Sequence, residues 1–148
     1  MNTHSVKNAL NAYGQVDVDA SLMTANPVQL IVMLYDGAVG AIAKAKGLLL
    51  QQQYAEKSQQ ISLAIGIIDG LASVLDMEKG GEISANLSAL YDYMRRRLLV
   101  ANLQNDVAPL DEVSGLLLSI NESWKVLANR SAVAQSKAAE DMDGRRSA

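Results

Sequence analysis

The apolar residues of this chain recur every three or four positions, which is the spacing of one face of an α-helix. The clearest stripe steps by three and four without interruption and consists of Leu110, Val113, Leu117, Ile120, Trp124 and Leu127. Comparable stripes cover residues 30–49, 61–75 and 83–101, and no strand pattern competes with them. Four amphipathic helices of roughly 20 residues with short links favour an all-α fold, an antiparallel four-helix bundle.

The helix ends carry recognisable signals. Asn26 as N-cap, Pro27 at the first helical position and Gln29 at the third predict a helix start. Gly80 and Gly81 predict the end of the second helix, because glycine suits a left-handed C-terminal cap. Pro109 predicts the start of the fourth helix. The predicted helices cover about 27–52, 55–78, the residues after Gly81 to about 103, and 109–129.

The two ends of the chain differ from this pattern. Residues 1–25 have no sustained helical period, and they are predicted to form an extended N-terminal arm with a few apolar anchors, Tyr13 among them. Residues 26–129 form the predicted bundle. From Arg130 the large aliphatic residues disappear, so residues 130–148 are predicted to be a mobile, disordered tail.

Composition excludes several classes of chemistry. The chain has no cysteine and a single histidine, His4, so thiol nucleophiles, disulfides, cysteine-ligated zinc and a catalytic triad are not expected. Its carboxylates are scattered, and the sequence therefore predicts no catalytic residues, no metal site, no cofactor and no enzymatic activity. The net charge of −3 argues against nucleic-acid binding. No apolar run approaches the ~20 residues of a membrane helix, so membrane insertion is not expected and a cytoplasmic location is favoured.

The second predicted helix carries a second apolar stripe, about 140° around from the first. Its members are Leu63, Ile67, Gly70, Val74 and Met77. Because a monomer seldom leaves a long aliphatic stripe exposed, this face is predicted to be a binding groove or a dimer face. The alternative is that the N-terminal arm covers it.

The first predicted helix has a face of small and polar residues opposite its main stripe: Gln29, Met33, Asp36, Gly40, Lys44 and Gly47. Glycines leave this face shallow, so the backbone of a partner segment could approach it closely. Close packing within the bundle is an equally good explanation of the glycines. The helical period also outweighs the turn signal of the Asp36-Gly37 dipeptide.

The run Arg95-Arg96-Arg97 is the one dense basic feature of the sequence. Asp92 precedes Arg95 and Arg96 by three and four residues, the spacing at which helical side chains pair. The run is predicted to be a solvated face with local ion pairs, and contact with an acidic partner is the alternative.

Three stretches resemble the family of flagellar secretion chaperones called FliS: "TANPVQLIVMLYDGAVGAIAKA", "LDMEKGGEISANLSALYDYMRRRLLVAN" and "LDEVSGLLLSINESW". The resemblance extends over about residues 13–127. It implies a four-helix bundle that binds the disordered C-terminal segment of flagellin, keeps flagellin unpolymerised in the cytoplasm and delivers it to the type III export gate component FlhA. It also implies an N-terminal arm that shifts when flagellin binds and, in some members, binding of the anti-sigma factor FlgM.

The candidate flagellin-binding residues combine the arm with the two helix faces described above. They are Tyr13, Met33, Asp36, Gly40, Leu63, Ile67, Gly70, Val74 and Met77. A regulatory adaptor or a homodimer that uses the second stripe for self-association is the competing hypothesis.

Overall fold

The computed structural model describes residues 26–147. This part of the chain consists of four α-helices and contains no strand. The helices are α1 (Pro27–Leu50), α2 (Tyr54–Ser73), α3 (Met77–Gln104) and α4 (Val107–Ser147). The predicted all-α four-helix bundle is confirmed.

Each helix packs mainly against two neighbours: α1 and α3 both contact α2 and α4. Links of no more than three residues (51–53, 74–76 and 105–106) join consecutive helices, which therefore run antiparallel. The diagonal pair α1 and α3 runs parallel and meets at a buried hydrogen bond between the Tyr35 and Tyr91 hydroxyls, whose oxygens lie 2.6 Å apart.

The predicted helical stripes form the core. Their central members are completely or almost completely buried and include Leu34, Ile42, Ile61, Ile68, Met94, Leu98, Leu110, Val113 and Leu117. Each such aliphatic side chain contributes about 1.5–3 kcal/mol when it is removed from water. The core is therefore aliphatic, and the two tyrosines supply its polar centre.

The capping signal at the start of α1 is confirmed. The Asn26 side chain accepts a hydrogen bond from the Gln29 backbone N–H at 2.9 Å, and the Gln29 side chain accepts one from the Asn26 N–H at 3.2 Å. Asn26 Nδ2 also donates to Ser131 Oγ at 3.0 Å. A local sequence motif thus fixes the start of α1 and ties it to α4.

The predicted end of α2 at Glu78 is wrong, since α2 ends at Ser73 and α3 begins at Met77. Asp76 caps α3 by accepting from the backbone N–H groups of Glu78 and Lys79 at 3.1 and 2.9 Å. This cap satisfies the free N–H groups of a new helix. The glycine pair therefore lies inside α3, where Gly81 has φ 51° and ψ −125° and kinks the helix after its first turn.

The predicted end of the fourth helix near residue 129 is also wrong, because α4 continues through Ser147. The mobility of residues 130–148 stays a prediction. Alanine and arginine are the most frequent good helix formers in this segment, with five and three residues, and both have high helix propensity. Residues 132–144 are all exposed. The segment has few large aliphatic residues and accordingly makes few core contacts. It is nevertheless helical, because helix formation does not require those contacts.

By length and composition α1 is apolar enough to cross a membrane, contrary to the expectation above that no apolar segment is long enough. Eight of its residues are buried, including Leu34, Tyr35 and Ile42. Its apolar character is that of a core helix packed between α2 and α4.

Candidate functional site

An apolar groove of about 260 Å³ lies at the end of the bundle where α1 and α3 begin and α2 ends. All four helices line it, together with the link between α2 and α3. The lining residues are Ile31, Leu71, Val74, Leu75, Asp76, Gly80, Ile83, Ser84, Leu87, Tyr91 and Trp124. Ile83, on the wall, is 72% exposed, whereas Leu71 and Tyr91 are 1% exposed. The groove thus joins an exposed apolar wall to the bundle core.

The glycine pair shapes one wall of this groove. Gly81 adopts a left-handed φ that other residues rarely adopt, and this separates the first turn of α3 from the rest of the helix. At Gly80 a Cβ would overlap the hydroxyl and Cβ of Ser84, so a larger residue would force the wall to shift. Both glycines are therefore needed for the observed course of the backbone along the groove.

Two residues that line the groove, Tyr91 and Trp124, belong to a buried polar cluster with Tyr35. Tyr91 lines the groove, and its hydroxyl shares the 2.6 Å hydrogen bond with Tyr35. Burial raises the pKa of both tyrosines, so both hydroxyls keep their protons at neutral pH. Trp124 also lines the groove, and its buried Nε1 lies beside the Tyr35 hydroxyl without the geometry of a hydrogen bond.

The predicted exposed stripe on α2 does not exist as a continuous face. Ile67 is 0% exposed and Gly70 is buried, while Leu63 is half-buried against the core. Val74 lies in the groove, and Met77 is an exposed residue at the start of α3. Because α2 packs against both α1 and α3, the central part of its second stripe is buried as well as the first stripe.

The small face of α1 does not line the groove, and its Asp36 contacts α4. Asp36 is exposed and accepts a hydrogen bond from Asn121 Nδ2 at 2.9 Å, and Lys125 Nζ lies 3.5 Å from it. Met33 and Gly40 are half-buried. Among residues 26–147, a Cβ at Gly40 or at Gly47 would meet nothing within 4 Å. The structure therefore gives no support to close packing within the bundle as the reason for these two glycines. Tyr13 lies outside the described residues.

Most residues of the groove were missed as site residues. The spacing of Ile31, Ile83, Leu87 and Trp124 is that of core residues, so it predicts core positions for all four. Gly80 and Gly81 were the available signal, since two adjacent glycines beside a stripe indicate a backbone that departs from regular packing. Of the eight candidate residues that the structure describes, only Val74 lines the groove.

Charged residues form ion pairs on the outer surface of α3. Arg95 and Arg96 both pair with Asp92, which confirms the predicted local pairing. Arg97 Nε bonds Glu112 of α4 at 2.7 Å. Hydrogen bonds from Tyr93 and Arg97 lower the pKa of the Glu112 carboxyl. Within residues 26–147 no cluster of three acidic or histidine side chains could hold a metal ion.

Comparison with known proteins identifies the family. The family of flagellar protein FliS matches residues 9–131. The flagellar secretion chaperone FliS of Salmonella typhimurium is 50% identical over 129 residues, covering 86% of this chain and 96% of that protein.

More distant relatives agree with this assignment. Flagellar secretion chaperone FliSB of Pseudomonas aeruginosa is 46% identical over 78% of this chain and 92% of its own length. Flagellar secretion chaperone FliS of Bacillus subtilis is 35% identical over 82% of this chain and 86% of its own length. The chain belongs to the FliS family of flagellar secretion chaperones.

Proposed function

We propose that this protein is a cytoplasmic export chaperone that binds the disordered C-terminal segment of flagellin. Binding prevents premature polymerisation and presents flagellin to the flagellar type III export apparatus. The observation that carries the proposal is the apolar groove in a member of the FliS family. Chaperone action of this kind requires a surface for another chain and no catalytic group.

The groove suits an amphipathic helix or an extended segment that inserts apolar anchors. Ile83 and the half-buried Leu87 and Val74 provide an apolar wall beside core residues. Ordering a disordered client costs about 2–5 kcal/mol or more. A long client with several anchors is therefore favoured over a single side chain. The small face of α1 around Gly40 is a second contact for the same client.

Binding would prevent flagellin from polymerising because it covers apolar residues of the flagellin segment. Residues that enter the groove are then unavailable to neighbouring flagellin subunits. The loaded chaperone would next meet the export gate component FlhA, with flagellin as part of the recognised complex. Binding of FlgM and rearrangement of residues 1–25 on client binding belong to the same proposal, since the family resemblance implies both.

Calorimetric titration with the C-terminal segment of flagellin from the same organism tests the proposal. The informative variant is Ile83→Asp, which places a charge on the wall of the groove at a residue that is 72% exposed. The matched control is Leu103→Asp, because Leu103 is also on α3, is 83% exposed and does not line the groove. Both variants should keep the helical content of the wild type.

We expect a one-to-one complex with a negative heat-capacity change, the mark of apolar burial. Ile83→Asp should weaken binding by about tenfold or more, equivalent to ~1.4 kcal/mol, and Leu103→Asp should change it little. A folded wild-type protein that binds no flagellin, or a stable dimer that persists when flagellin is added, would contradict the proposal and favour the adaptor or homodimer. An equal loss of affinity for flagellin in Ile83→Asp and Leu103→Asp would contradict the placement of the flagellin segment in this groove.

A further inference from the structure

Ser84 is a polar residue on the wall of the groove, and its hydroxyl has no hydrogen-bond partner among residues 26–147. The residue is 6% exposed and lines the groove, yet its Oγ takes part in none of the hydrogen bonds of the described residues. Ser58 on α2 differs, because its Oγ lies 3.0 Å from the Tyr54 carbonyl oxygen and 2.8 Å from Asn102 Oδ1. A buried hydroxyl without a partner destabilises a protein, so the described bundle alone gives no reason for a serine here.

The Ser84 oxygen stands on the groove wall and remains accessible. Three polar side-chain atoms of the described residues are completely buried without a partner, namely Gln60 Oε1, Asn121 Oδ1 and Trp124 Nε1. Ser84 Oγ also lacks a partner but is not completely buried. A Cβ at Gly80 would overlap this oxygen, and Gly80 lines the same groove. The hydroxyl therefore occupies space on the wall that a side chain at residue 80 would fill.

The other polar side chains that line the groove are already bonded or inaccessible. The Tyr91 hydroxyl is bonded to that of Tyr35, and Trp124 Nε1 is completely buried. Asp76 is exposed, and its carboxylate accepts hydrogen bonds from two backbone N–H groups at the start of α3. Among the described residues that line the groove, Ser84 is thus the buried one whose polar atom is both accessible and without a partner.

A client that places apolar anchors in the groove also brings the peptide groups between those anchors. Burial of a peptide group without a hydrogen-bond partner is unfavourable. A helical segment satisfies its peptide groups internally, whereas an extended segment does not. A serine hydroxyl can donate to a carbonyl oxygen or accept from an N–H group. Ser84 can therefore satisfy either half of a peptide group in an extended segment.

We propose that the Ser84 hydroxyl forms a hydrogen bond with a peptide group of the flagellin segment, which crosses this part of the groove in an extended conformation. A helical segment presents peptide groups that are already bonded, and a purely apolar side chain offers no polar atom. Either would leave the hydroxyl unmatched. This inference rests on the proposed function and assigns a polar determinant to the apolar groove.

The test compares Ser84→Ala with Ser58→Ala by calorimetric titration with the C-terminal segment of flagellin and by thermal unfolding without it. Ser58 is the matched control, because it is also a helical serine but does not line the groove. Both substitutions bring a similar gain in helix propensity. The difference between their melting temperatures therefore reports whether the lost hydroxyl had a partner within this chain.

We expect Ser84→Ala to weaken binding about threefold to tenfold, and Ser58→Ala to change it by less than roughly twofold. The melting temperature of Ser84→Ala should be the higher of the two, because only Ser58 loses hydrogen bonds within the chain. Unchanged affinity in Ser84→Ala would overturn the inference while the proposed function stands. A melting temperature of Ser84→Ala no higher than that of Ser58→Ala would place the partner in this chain and also overturn it.

A second experiment distinguishes a peptide group from a side chain of the client. Each polar side chain of the flagellin segment is replaced by alanine in turn, and every segment is titrated into the wild type and into Ser84→Ala. A bond to a peptide group predicts the same loss from Ser84→Ala with every segment. Disappearance of that loss with one segment would identify a side chain as the partner and overturn the extended conformation. A folded wild type that does not bind flagellin would overturn both proposals.

Discussion

Replacing Ile67 by alanine distinguishes the core position that the structure gives this residue from the exposed position that its stripe suggested. Ile67 is 0% exposed on α2. The substitution removes about three methylene equivalents, worth ~0.8 kcal/mol each. The cavity that remains adds to this loss, and the total for such substitutions is about 2–5 kcal/mol. We therefore expect the free energy of unfolding to fall by about 3–4 kcal/mol.

At this chain length each kcal/mol lowers the melting temperature by roughly 2–4 °C, so the expected loss is on the order of 10 °C. Guanidinium unfolding followed by helical circular dichroism measures the change, with Leu118→Ala as the control. Leu118 is 50% exposed, and its substitution should cost no more than about 0.5 kcal/mol. Binding of the flagellin segment to folded Ile67→Ala should equal that of the wild type. A cost below about 1 kcal/mol together with lost binding would refute the buried assignment.

Two further predictions concern the glycines and the surface ion pairs. Gly81→Ala should destabilise the fold by about 1–3 kcal/mol, because alanine rarely adopts φ 51°. Gly115→Ala, at an exposed helical position with open space around its Cβ among the described residues, should stabilise it by up to ~1 kcal/mol. A higher unfolding midpoint in Gly81→Ala would contradict the first assignment, and a lower one in Gly115→Ala would contradict the second. Tyr93→Phe should raise the Glu112 pKa toward its ordinary value, because the Tyr93 hydrogen bond is the main cause of the lowered pKa. Glu112 stabilises the fold at pH values above the ordinary glutamate pKa, and this stabilisation is lost as the pH falls through the lowered pKa that Glu112 has in the folded protein. An NMR titration of the Glu112 carboxyl carbon measures this pKa. The same pKa in the wild type and in Tyr93→Phe would contradict the assigned role of the Tyr93 hydrogen bond.

Local sequence determined those parts of the fold that depend on near neighbours along the chain. Asn26 and Gln29 are three residues apart and satisfy each other's backbone N–H groups, so the start of α1 could be predicted. The stripe of α4 from Leu110 to Leu117 has one helical period and one buried face, and its burial was predicted correctly. The same holds for the pairing of Asp92 with the arginines that follow it.

Tertiary structure decided how many faces of a helix are covered. The second stripe of α2 looked exposed because a helical wheel shows directions and not neighbours. Ile67 is buried because α2 packs against both α1 and α3. The candidate residues on this stripe were chosen because they looked exposed. Exposure depends on the neighbouring helices and cannot be read from one helix alone.

Tertiary structure also decided where the groove lies. Ile83 and Trp124 have the spacing of core residues, yet they line an open groove at the end of the bundle. The Gly80-Gly81 pair could end one helix or kink the next, and the Asp76 cap decided between them. The sequence by itself determined the four helices and their main apolar faces, since periodicity and capping act within a few residues. Only the packed structure determined which of those apolar residues stay accessible, because accessibility depends on the relative positions of all four helices.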